Sequence, residues 1–146
     1  MDTQQFWKLI EEARSQVPAP ANGDAVVERA TALLALRPAE EIVAAQQILR
    51  GLMADSYRAP LWGAAYVING GCSDDGFDYF RGWLITQGRG TFDRAITDPD
   101  ALTELPAVRA SAPEWDFEDG DELSRRLPRL TELYAEPGRV DAAARL

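Results

Sequence analysis

Leu61-Trp62-Gly63-Ala64-Ala65-Tyr66-Val67-Ile68-Asn69-Gly70-Gly71-Cys72-Ser73-Asp74-Asp75-Gly76-Phe77-Asp78-Tyr79-Phe80-Arg81-Gly82-Trp83-Leu84-Ile85 is the stretch that decides the fold. It predicts two aromatic-rich helices joined by a glycine stop and an acidic start. The first covers about Leu61 to Asn69, and Gly70-Gly71 supplies the left-handed end that glycine takes without penalty. Ser73 or Asp74 then caps the second helix. Its Phe77, Phe80, Trp83 and Leu84 recur at helical spacing and predict a bulky buried face.

Helix signals extend outward on both sides. Asp2 and Gln5 form a capping pair, and Phe6, Leu9, Ile10, Ala13 and Val17 follow at helical spacing. The run from Pro18 to Gly23 ends that helix as a loop. Asp24 is a cap for a second helix with Val27, Ala30, Leu33 and Leu34 on one face. Pro38 falls at a first helical position, and Glu40 and Glu41 suit the positive helix end. Ile42, Ala45, Ile48, Leu49, Leu52 and Tyr57 mark a long third helix that closes before Pro60.

Beyond Ile85, Gly88-Arg89-Gly90 breaks the pattern, Thr91 starts a short helix and Asp98-Pro99-Asp100 starts another. The periodicity is lost from Pro106 to Pro113. It resumes at Leu123, Leu127, Leu130 and Tyr134, where Pro128 implies a kink or a later start. The residues after Pro137 read as a tail. No repeat and no strand pattern is found. The expected fold is all-α, a compact multi-helix domain over 1–105, an acidic Pro-containing linker over 106–122, and a C-terminal helix and tail over 123–146. Phe6, Leu9, Leu49, Leu52, Phe80 and Leu84 are expected in one core.

Composition bounds the function. The apolar share of 46% and charged share of 27% are those of an ordinary globular protein, and 146 residues suffice for a real core. The N-terminus lacks the pattern of a signal peptide, and no apolar run nears the ~20 residues of a membrane span. A single cysteine forms no intramolecular disulfide, which suits a reducing compartment. Lys8 is the only lysine among many arginines and alanines, as in a high-GC bacterial genome. A cytoplasmic protein is expected.

The net charge of −9 is concentrated: residues 93–122 hold ten acids against Arg94 and Arg109. Such a field repels phosphate backbones and disfavours direct nucleic-acid binding. It is either a solvated surface or a docking patch for a basic partner. Within it Trp115, flanked by Glu114 and Asp116, is an aromatic either tucked onto the domain or offered to a partner.

Several chemistries are absent. With no histidine in the chain, Ser-His and Cys-His catalysis and histidine-dependent zinc sites are excluded. Gly71 and Gly76 have the glycine spacing of a phosphate loop, but Phe77 stands where the lysine belongs. An EF-hand counted from Asp116 fails, because the glycine comes one place early and the twelfth position is Leu127.

Asp74, Asp75 and Asp78 remain as oxygen donors that could hold a hard divalent cation. Capping and dipole complementation explain Asp74 and Asp75 with fewer assumptions. Cys72 precedes the same helix start but has no base or resolving thiol, so a small apolar role is expected. Arg81, set among Phe77, Phe80 and Trp83, either pairs with Asp78 three residues back or serves an anionic ligand.

Three elements together resemble an uncharacterised bacterial family, domain of unknown function 4240. They are the opening Phe6-Trp7-Lys8-Leu9-Ile10, the block from Ala64 to Phe77, and Tyr79-Phe80-Arg81-Gly82-Trp83-Leu84-Ile85 with Gly88, Phe92 and Asp98-Pro99-Asp100. The resemblance covers about Thr3 to Leu105 and implies a small helical domain; it supplies no activity and no catalytic residues. The expectation is a non-catalytic interaction or regulatory protein of the bacterial cytosol with a protein partner, bound through the Gly71 to Phe77 turn or the acidic segment. The alternative is an enzyme or small-ligand binder using Asp74, Asp75, Asp78 and Arg81, with a hard divalent cation. No catalytic residue, resident metal or cofactor is assigned.

Overall fold

Helix α1 (Thr3–Ser15) begins where its own sequence dictates. Asp2 accepts from the Gln5 amide at 2.8 Å, and the Gln5 side chain accepts from the Asp2 amide at 2.8 Å. The computed structural model describes residues 1–110 and 125–133. All regular structure among them is helical. α1 is followed by α2 (Gly23–Leu34), α3 (Ala39–Asp55), α4 (Ala59–Asn69), α5 (Asp74–Thr86) and α6 (Arg89–Thr97). A 3₁₀ helix (Pro99–Glu104), α7 (Pro106–Ala110) and α8 (Pro128–Leu133) complete the order. Among the described residues no helix is long and apolar enough to cross a membrane.

The chain divides into two units that share α5 and α6. The first holds Met1–Tyr57 and Asp78–Asp93; the second holds Arg58–Phe77 and the chain from Arg94 onward. In the first unit, α1 buries Phe6, Trp7, Leu9, Ile10 and Ala13. Phe80, Leu84, Ile85 and Phe92 are buried too, and Trp7 meets the Phe92 ring at 5.5 Å. Each such aromatic removes a large apolar area from water, the main favourable term in folding. Arg14 then ties α1 to the end of α5, donating from Nη1 to the Thr86 carbonyl at 2.7 Å.

Helices α2 and α3 differ from expectation in phase. The cap of α2 is Asn22, whose side chain accepts from the Ala25 amide, not Asp24. Val26 is the fully buried residue while Val27 is 52% exposed. On α3 only Ala45 is buried, and Leu49, expected in the core, is 40% exposed with Leu52 half-buried. Successive residues turn by ~100° on a helix, so a face centred on Ala45, Ile48 and Leu52 leaves Leu49 at its edge.

In the second unit α4 ends at Gly70, left-handed at φ 71°, and the Gly71 amide donates back to the Tyr66 carbonyl at 2.8 Å. Gly71 follows at φ 116°, so both positions favour glycine. The chain folds back so that Trp62 stacks on Phe77, with centroids 4.9 Å apart. The Trp62 indole also donates to the Cys72 carbonyl at 2.9 Å.

The 3₁₀ helix packs with α4, α7 and α8. Residues 106–110 form a helix where the lost periodicity implied linker. Pro106 suits a first helical turn, and Val108 is its buried anchor. Helix α8 starts at Pro128, the later start rather than the kink that this proline implied, and it buries Leu130.

Candidate functional site

The start of α5 is a built cap. Ser73 Oγ accepts from the Gly76 amide at 3.1 Å, and the Phe77 amide donates to the Ser73 carbonyl at 2.8 Å. Asp74 and Asp75 occupy the first turn and are exposed, where their charge complements the helix dipole. Phe77 is fully buried, so the turn offers polar groups outward and keeps its aromatic inside. Burial pushes the Cys72 thiol up, against a weaker downward pull from its hydrogen bond with Asn69. That favours the protonated form and makes it a poor nucleophile.

Arg81 is buried at 3% exposure, with its guanidinium carbon 4.7 Å from the centre of the Tyr57 ring. It donates to the Asp78 carboxylate and to the Met53 carbonyl near the end of α3. The fork thus joins Ser56 Oγ, which donates at 3.1 Å, on a carbonyl at the helix end, while the ring covers its face. Among the described residues no three Asp, Glu or Cys side chains come together in a metal-holding group. Trp115 and the acidic stretch from Glu114 to Glu122 lie outside the described residues.

The sequence did not point to the groove beside α5. It encloses about 560 Å³ and is lined by Ala21, Asn22, Gly23, Asp24 and Val27 from the α2 start, and by Asp78, Tyr79, Gly82, Trp83 and Thr86 from α5. Trp83 is therefore a half-buried wall and not core. Its indole donates to the Ala21 carbonyl at 3.0 Å, which fixes the ring.

Tyr79 stands 82% exposed at the same groove. Gly23 lets α2 close on this wall: a Cβ there would meet Thr86 Oγ1 at 2.9 Å and Trp83 Cδ1 at 3.0 Å. Gly82 is the opposite case, with nothing within 4 Å of an added Cβ. An unobstructed glycine in mid-helix between Arg81 and Trp83 was the signal available in the sequence, since glycine there costs ~1 kcal/mol against alanine.

The groove brings together two carboxylates, two aromatic side chains and a small-residue floor. Such a lining offers aromatic contact area beside negative charge.

This chain belongs to the family described as protein of unknown function (DUF4240), whose model matches residues 1–127. No curated protein and no solved structure matches it.

Proposed function

We propose that this chain is a non-catalytic protein-interaction domain of the bacterial cytosol that engages its partner through the outer face of α5. The observation that carries the reading is Tyr79, 82% exposed at a groove whose other aromatic, Trp83, is held in place. Tyrosine and tryptophan offer large contact area for little lost conformational freedom and dominate the energetics of interfaces. The lone cysteine and the arginine-rich composition support the cytosolic setting.

The competing enzyme or small-ligand reading has less support. Arg81 is committed to Met53, Asp78 and Tyr57, and partial burial pushes the Cys72 thiol up. A photo-crosslinking phenylalanine analogue at position 79, irradiated in the host, should yield a discrete protein adduct. The same analogue at position 49, on α3, should yield none. Adducts from position 49 alone would move the interface to α3. Absence of both, with a metabolite retained by purified protein and lost on Asp78→Asn, would favour the alternative.

A further inference from the structure

We infer that the α2–α5 groove seats a lysine or arginine side chain from a basic segment of a different protein. The inference rests on the interaction reading above and names the chemistry that the groove would recognise. Asp24 and Asp78 stand on its two walls, and none of its lining residues is basic. Arg81, the nearest cation in sequence, is 3% exposed and donates to Met53 and to Asp78 Oδ1, while the Asp78 side chain stays 55% exposed, so Asp24 is the unshared acid of the pair.

A cation entering this groove meets acids at the walls, while its aliphatic stem lies along Val27 and the aromatic side chains. The start of α2 would by itself favour an anion, but an anion would face Asp24 in the first turn and Asp78 opposite. A net charge of −9 also sets two copies of the chain against one another, so the occupant is another molecule. Gly82 leaves the floor open for the stem.

The test uses the whole chain and a fluorescein-labelled peptide of Gly-Arg-Ala repeats, followed by fluorescence anisotropy at several salt concentrations. A Gly-Glu-Ala peptide is the charge control. The arginine peptide should bind and the glutamate peptide should not. Gly82→Leu fills the groove without altering charge and should weaken binding more than about tenfold. Asp24→Asn should weaken it about three- to fivefold, whereas Glu40→Gln, the same charge change on α3, should leave it unaltered.

Equal effects of Gly82→Leu and Glu40→Gln, no binding, or equal binding of the two peptides would overturn the inference. If it fails while the position-79 adduct persists, the interaction reading stands and only the cation is wrong. Loss of the adduct as well removes both.

Discussion

Arg81 on α5 donates to the Met53 carbonyl near the end of α3, joining residues 28 positions apart in sequence within the first unit. The contact fastens a helix that otherwise buries only Ala45 completely. Lysine is a poor replacement, because an ammonium lacks the planar fork that meets Met53 and Asp78 together and stacks on Tyr57. Arg81→Lys should lower unfolding stability by about 1–3 kcal/mol in urea titrations. Full stability would show that the fork is dispensable.

Phe80 and Leu49 provide a matched test of the core. Phe80 is 6% exposed and Leu49 40% exposed. Phe80→Ala should cost about 3–5 kcal/mol through lost burial and a residual cavity. Leu49→Ala should cost under about 1 kcal/mol, because little apolar area returns to water. Similar losses in denaturant titrations would mean that the core extends over the outer edge of α3.

Two glycines should respond in opposite directions. Gly82→Ala adds a methyl group to open space in mid-helix and should stabilise by about 0.5–1 kcal/mol. Gly23→Ala presses on Thr86 and on an indole tied to Ala21, and should destabilise by about 1–3 kcal/mol. Melting temperatures of the two variants settle the matter; a rise in both would mean that α2 has room to move away from Trp83.

Asp100, 7% exposed, caps α8 from a distance. Its Oδ1 accepts from the Leu130 amide at 2.9 Å and its Oδ2 from the Arg129 amide at 3.1 Å. Asp100→Ala should cost about 1–3 kcal/mol, since both amides lose a buried acceptor. Hydrogen exchange at Leu130 should accelerate selectively. Unchanged protection there would assign the order of α8 to apolar packing alone.

The Cys72 thiol should react slowly with iodoacetamide. Burial raises its pKa above the ordinary 9.0, so a smaller fraction is thiolate at any lower pH. The alkylation rate should reach its half-maximal value above pH 9.0, the midpoint of an unburied thiol. A plateau at lower pH would reveal an activated thiol and reopen the case for nucleophilic chemistry.

What the sequence determined by itself is local. The Asp2–Gln5 cap, the left-handed Gly70-Gly71 stop, the Ser73 start and the Phe77, Phe80, Leu84 stripe each depend on residues within a few positions of one another. The Arg81–Asp78 pair was readable as well, being one helical turn apart. Tertiary structure alone decided the phase of α2, the exposure of Leu49, and the meeting of residues 21–27 with residues 78–86 in one groove. The physical reason is that periodicity marks an apolar arc, but the packing partner selects which part of that arc is covered. Gly23 sets that choice by allowing α2 to approach Trp83, a contact 60 positions away that no local pattern encodes.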